Sequence, residues 1–298
     1  MSKILYAKKI GQVVLLLVVV LLSFSACGYL VHVPMQVNHD AKNQTEQHAR
    51  VVKNTAASRY PTTPTPTSAT STPTGATTGW HEVFRDDFQG NQLNTSNWNT
   101  CYDWGCQGGN GEAEHYTPNG VSVSNGLSLT ATKSNGQYYS GMVSSFGHFS
   151  YLYGYAEARF KIPSGQGLWP AFWMLGTGQQ NKDELDAMEI LGNQTNLLYM
   201  TVHHQTQLNS TSNTWTGPDF STGYHTVGLD WEPNSLTWYV DGVVRSRITD
   251  PQYIPHTPMY VILDLAVGGD WPGYPNASTP FPSSFDIQYV SVQQKSGS

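Results

Sequence analysis

From Trp80 onward the chain shows no sustained 3.6-residue apolar period. Short runs rich in β-branched and aromatic residues recur instead, separated by Gly, Pro, Asn and Ser. Runs of this kind are "GLSLTAT" (Gly126–Thr132), "GYAEARFKI" (Gly154–Ile162), "LLYMTVHH" (Leu197–His204), "HTVGLDW" (His225–Trp231) and "MYVILDLAV" (Met259–Val267). "LTWYVDGVVRSR" (Leu236–Arg247) predicts a hairpin with Asp241-Gly242 at its turn, a dipeptide that tolerates the left-handed backbone of a tight turn. Many short strands without helical crossovers predict an all-β fold of two stacked antiparallel sheets, of the sandwich or jelly-roll kind. No internal repeat is visible, which disfavours a propeller or solenoid.

The first eighty residues differ in kind. Lys3, Lys8 and Lys9 precede the apolar run Val13–Leu22, the charged and apolar regions of an export signal, so an extracytoplasmic protein, secreted or tethered to the envelope, is expected. "FSAC" (Phe24–Cys27) resembles a bacterial lipobox, with Cys27 as the residue to be lipidated. Joined to "GYLVHV", the same stretch reads as an uncleaved membrane span of about 20 residues with its lysines on the cytoplasmic side. A simple cleaved signal is the third reading. Residues 1–35 are thus a signal or anchor. Residues 36–79 thin out in apolar content, and the Thr/Pro/Ser tract Tyr60–Gly79 cannot bury enough surface to offset chain entropy. This predicts a linker, and extended at about 3.1 Å per residue the tract would reach roughly 60 Å. Residues 80–298 are the expected folded domain, and a monomer is expected.

Charged residues make up only 12% of the chain and the net charge is −6; with no Lys/Arg-rich run in the folded part, a nucleic-acid partner is excluded. Nine Trp and seventeen Tyr call for either two packed sheets or a surface that stacks on flat apolar faces such as sugar rings. Apart from Cys27, Cys101 and Cys106 in "CYDWGC" fit a small-loop disulfide of an oxidising compartment, adding roughly 2 kcal/mol in the chain-entropy model. No second Cys pair or His pair lies at ligand spacing nearby, so no metal site is expected there.

Against this sparse charge, "DELDAMEILG" (Asp183–Gly192) crowds Glu184, Asp186 and Glu189 among apolar spacers. On a helix Glu184 and Glu189 would lie roughly 140° out of phase. On a regular strand Glu184 and Asp186 point one way and Glu189 the other. One extra residue at Ala187-Met188, a β-bulge, brings all three to one side and leaves Leu185 and either Ala187 or Met188 facing the core. Three aligned carboxylates repel one another, so the arrangement costs stability unless protons or substrate relieve it. Coupled carboxylates are what retaining glycoside hydrolysis uses, with the two carboxyls closing to about 5–5.5 Å.

"GQGLWPAFWMLG" (Gly165–Gly176) upstream and "VGGDWPG" (Val267–Gly273) downstream complete a pattern that resembles glycoside hydrolase family 16, the laminarinase-like β-glucanases. The likeness runs through most of Trp80–Gln293, including "GYAEARFKIP", "HTVGLDWEPNSLTWYVDG" and "MYVILDLAVGG". It implies a concanavalin-like β-jelly-roll with a sugar-binding cleft on its concave sheet, and a retaining endo-hydrolase of β-1,3 or mixed β-1,3/1,4 glucan. Carried over by position, Glu184 matches the nucleophile, Glu189 the acid/base and Asp186 the residue that modulates their protonation. Two residues between Asp186 and Glu189 resemble the laminarinase branch rather than the lichenase-like one.

The resemblance also implies that Trp169 stacks on a glucosyl ring. Trp173 shares its strand face, as cleft or core residue, and Trp271 in its Gly-rich loop is assigned to the cleft. His203 and His204 point to opposite faces, and His204 is aligned with the family's cleft histidine. Asn110 and Glu112 in "GGNGEAEHY" match a segment that contacts sugar hydroxyls, although Gly111 interrupts the usual pairing. Arg159 is either a holder of a cleft carboxylate or sugar hydroxyl, or a surface arginine. Many relatives hold a structural calcium through an Asp of the last strand; Gln288 occupies that position and Asp286 is out of register, which leaves backbone oxygens as ligands. No cofactor is required. The rival readings are a glucan-binding module without turnover, a transglycosylase, and a galactanase of the same fold.

Overall fold

The computed structural model describes residues 79–178, 183–204 and 209–296. They lie within one compact unit, Thr70–Ser298. The export segment, Cys27 and all but the last residue of the 36–79 linker lie outside the described residues.

Sixteen strands are described. The first eight are β1 (Trp80–Asp86), β2 (Glu114–Tyr116), β3 (Val121–Val123), β4 (Leu127–Ser134), β5 (Gln137–Ser140), β6 (Met142–Ser144), β7 (Gly154–Lys161) and β8 (Leu168–Gly176). There follow β9 (Glu184–Glu189), β10 (Leu197–His204), β11 (Asn209–Thr216), β12 (His225–Glu232), β13 (Ser235–Val240), β14 (Val243–Ile248), β15 (Met259–Val267) and β16 (Ser283–Lys295). They form two sheets. The smaller runs β11-β10-β9-β8-β15-β6; the larger contains β14-β13-β12-β7-β16-β4-β5-β2, with β1 on β16 and β3 on β4. The expected antiparallel sandwich is observed, with one local exception: β2 pairs with β5 in parallel. The β13–β14 hairpin turns at Asp241-Gly242, whose φ angles of 50° and 75° are the left-handed values anticipated for that dipeptide.

Alternation along the strands explains which faces meet. On β7, Ala156, Ala158 and Phe160 are buried in the core, which turns Tyr155, Glu157 and Arg159 outward. From the other sheet, Leu185, Ala187, Met188, Met200 and Val202 enter the same core, against Leu229, Trp231 and Trp238. The Trp238 indole N–H reaches across to donate to the backbone carbonyl of Asp186 at 2.9 Å. A core side chain of the larger sheet thus satisfies a main-chain acceptor beside the acid strand's irregularity.

The strand face of Arg159 corrects its placement as a cleft residue. It belongs to the larger sheet, on the surface facing away from the smaller one, where its Nε donates to Gln288 Oε1 at 2.7 Å. The same contact occupies the last-strand side chain nearest a calcium ligand's position. Gln288 offers a neutral amide already bonded to a cation, and Asp286 is taken by Lys161 at 3.4 Å and the Ser128 hydroxyl at 2.8 Å, so these side chains do not fit a bound dication.

Candidate active site

β9 lies between β8 and β10, and its pairing contains the extra residue that the acid spacing demands. Across β8, Glu184 pairs with Leu175, Asp186 with Trp173, Met188 with Phe172 and Glu189 with Ala171, so Ala187 is the bulged residue. On β10 the partners are His203 for Glu184, Thr201 for Asp186 and Tyr199 for Glu189. Directly paired residues share a face, so the three acids stand in one row on the outer face of the smaller sheet. Ala187 and Met188 are both fully buried, which shows how a bulge keeps two consecutive apolar residues in the core.

The row opens into a cavity of about 180 Å³ lined by all three acids. Trp169 and Trp173 form part of its wall, as do Asn110 and Glu112 from the loop before β2. Trp169 donates its indole N–H to Glu189 Oε1 at 3.2 Å, and the Thr201 hydroxyl lies 3.4 Å from Glu189 Oε2. Trp173 donates to Asp264 Oδ1 at 2.6 Å. Trp271, in the loop after β15, is 40% exposed and meets Trp169 and Tyr199 edge-on, with centroids 5.1 and 4.8 Å away. Asn110 lies 3.5 Å from Glu112.

Burial pushes the Glu189 carboxyl up to about 8, the Glu184 charge adds to the shift, and the Trp169 and Thr201 hydrogen bonds oppose it. Burial pushes Glu184 up to about 7. Its side chain keeps 30% exposure, however, so water in the open cleft moderates that effect. Asp186 is 2% exposed and held well above the carboxylate range by burial, then by the charges of Glu189 and Glu184. Its Oδ2 finds no hydrogen-bond partner among the described residues. Glu184 is thus the less strongly shifted of the two glutamates. A nucleophile beside a carboxyl that keeps its proton is the pairing needed to break an acetal.

The register also corrects the histidine. His203 pairs with Glu184 and shares its face, with Nε2 3.7 Å from both Glu184 Oε1 and Asp186 Oδ2, whereas His204 turns away to bond Asp183 Oδ1 at 2.8 Å. Burial lowers the His203 imidazole, which keeps it neutral. Glu184, Asp186 and His203 turn donor atoms within 4.8 Å of one another, and they are the one group among the described residues that could hold a metal ion. A hydrolysis run by the carboxylates needs none.

Two further acids, buried Asp264 and half-buried Glu112, line the same cavity. Asp264 accepts from Trp173 and, at 3.1 Å, from the Tyr116 hydroxyl; burial pushes it up to about 7. Burial, then the Glu114 charge, pushes Glu112 up to about 9. Sequence reasoning missed Asp264 and His203, together with Tyr102, Trp104, Tyr199 and Thr201. Asp264 had a signal: it is the lone acid in the otherwise apolar β15. Cys101 and Cys106 form the anticipated disulfide.

The family model described as "Glycosyl hydrolases family 16" matches residues 108–288, which contain the whole acid row. This chain belongs to glycosyl hydrolase family 16. A second model, described as "Beta-glucan synthesis-associated protein SKN1/KRE6/Sbg1", matches residues 3–182. Among curated family 16 relatives, the glucan endo-1,3-beta-glucosidase A1 of Niallia circulans is 33% identical over 75% of this chain, and the beta-glucanase of Rhodothermus marinus is 30% identical over 72%. The chain spans 39% of the length of the first and 85% of the second. Among solved structures, the endo-beta-1,3-glucanase from Pyrococcus furiosus superposes with a TM-score of 0.65 at 34% identity, over 72% of this chain and 95% of the other.

Proposed function

We propose that this family 16 protein is a retaining endo-hydrolase of β-1,3-glucan, with mixed β-1,3/1,4 chains as a second substrate. The observation that carries the reading is the bulged acid row, which gives one cavity the less strongly shifted Glu184, a proton-holding Glu189 and a neutral Asp186 between them. The printed activities of the relatives, endo-1,3-β-glucosidase and β-glucanase, support the same substrate class.

The chemistry proceeds in two displacements. Glu184 attacks the anomeric carbon while Glu189 gives its proton to the departing glycosidic oxygen, which leaves with the bond's electron pair as the new non-reducing end. The glycosyl ester on Glu184 is then opened by water, whose proton returns to Glu189, and the sugar keeps its β configuration. Trp169 fixes Glu189 through its indole N–H, and buried Asp186, kept protonated, adds no negative charge beside the nucleophile. Trp169, Trp173 and Trp271 offer faces and edges for sugar rings.

The test is incubation of the chain with laminarin, following new reducing ends by proton NMR. β-anomers appearing first support the reading; α-anomers first, or no release, overturn it. If products grow longer rather than shorter, a sugar hydroxyl has replaced water and the protein is a transglycosylase. The charged and apolar leader ahead of the Thr/Pro/Ser tract supports an extracytoplasmic enzyme tethered or secreted through residues 1–35, which cell fractionation tests.

A further inference from the structure

The disulfide hairpin beside the cleft has no part in the mechanism above. It is closed twice: by Cys101–Cys106, and by reciprocal backbone bonds between Tyr102 and Gly105, Tyr102 N to Gly105 O at 3.1 Å and Gly105 N to Tyr102 O at 3.2 Å. Gly105 holds φ at 130°, in the region L side chains rarely enter, so the turn is available to glycine and costly for others. The tip is tied to the cleft sheet, because the Tyr260 hydroxyl on β15 donates to Asp103 Oδ1 at 3.2 Å.

This rigid hairpin presents an aromatic ring. Trp104 stacks on Tyr102 with centroids 4.3 Å apart and planes 9° from parallel, yet it stays 52% exposed. Tyr102 beneath it is 8% exposed and wedged against Tyr116 and Trp173, at 5.4 and 6.0 Å. Trp104, Tyr102 and Trp173 line the same cavity as Glu184 and Glu189. A large apolar ring held open to water at the cleft mouth, and already ordered, can take a flat apolar face with little entropic loss. The face of a β-linked glucosyl ring, which displays only axial C–H bonds, is such a surface.

We propose that Trp104 is a distal sugar-stacking platform, held by the Cys101–Cys106 hairpin, that binds a glucosyl unit of the substrate chain remote from the bond being cut. This deepens the glucanase reading and rests on it. It makes the enzyme prefer long chains and makes that preference dependent on the oxidised hairpin.

The experiment measures kcat/KM for the full chain on β-1,3-gluco-oligosaccharides of increasing length. For the unsubstituted protein the ratio of longest to shortest rises; in Trp104→Ala it falls by about tenfold, and Trp104→Phe recovers part of it. Cys101→Ser/Cys106→Ser gives the same length-dependent loss. A ratio unchanged in Trp104→Ala, or equal losses at every length, overturns the platform and leaves the glucanase reading intact. No cleavage of any β-glucan by the unsubstituted chain overturns both.

Discussion

Glu189 and Glu157 occupy the two outer faces of one sandwich, and they are treated in opposite ways. Glu157, on the larger sheet, accepts from the Tyr155 and Tyr289 hydroxyls at 2.6 Å each. Asp286, farther along the same face, has Lys161 and Ser128. Glu189 has two longer donors and carboxyls of its own sign along the strand; among the described residues no Lys or Arg pairs with any of the three cleft acids. The far face shows that this fold can satisfy outward-facing acids. Leaving the cleft row uncompensated is therefore a local sacrifice of stability for reactive protonation states.

The largest effect should separate these faces. Glu184→Gln removes the attacking atom and is expected to lower kcat about 10⁴-fold or more, and Glu189→Gln by about 10²–10⁴-fold, measured on laminarin. Glu157→Gln should keep kcat/KM within about twofold and instead lose about 1–3 kcal/mol of stability, read from denaturant unfolding, since it weakens two charge-assisted bonds. If Glu157→Gln costs as much activity as Glu189→Gln, the contrast between the faces fails.

The next effect sharpens the protonation order within the row. In the proposed two-displacement reaction Glu184 acts ionised and Glu189 protonated, so kcat/KM should be bell-shaped, with an acid limb near 7 and an alkaline limb near 8. Asp186→Asn replaces one neutral group with another; a loss of about tenfold in kcat is expected, with both limbs moving by less than about half a unit. A larger shift of the alkaline limb would show that Asp186 carries charge in the working enzyme.

The acid row was legible in the sequence because face is a matter of parity, and parity can be counted: the spacing of Glu184, Asp186 and Glu189 makes sense only with a bulge. The hairpin was legible for a similar local reason, the Asp-Gly pair. What depends on partners was not. The face of His203 was countable, since Leu198, Met200 and Val202 put His204 on the core side and leave His203 beside Tyr199 and Thr201; that it meets Glu184 depends on how β9 and β10 align, which no residue within "LLYMTVHH" encodes. Arg159 sits on the outward side of its strand as expected, but alternation says nothing about which sheet the strand joins. Strand β11, "NSTSNTWT", escaped because its polar residues lack the apolar alternation by which strands are read.

The smallest effect reverses the usual result of mutating an interior acid. Glu189 titrates near 4.5 as an ordinary carboxyl and near 8 in the fold. Between those values the folded state keeps a proton that the unfolded chain has released, so its contribution is present below the lower value and is lost as pH rises through the upper one. Glu189→Gln removes that liability without changing shape. At pH 4 its melting temperature should match that of the unsubstituted protein; at pH 9 it should lie above it, by about 2–4 °C for each ~1 kcal/mol relieved. Glu157→Gln, by contrast, should melt below the unsubstituted protein, because the acceptor of the Tyr155 and Tyr289 hydroxyls is weakened. A fall at pH 9 for Glu189→Gln would mean that the cleft acid is stabilised after all, and that the two faces of the sandwich differ in chemistry but not in energy.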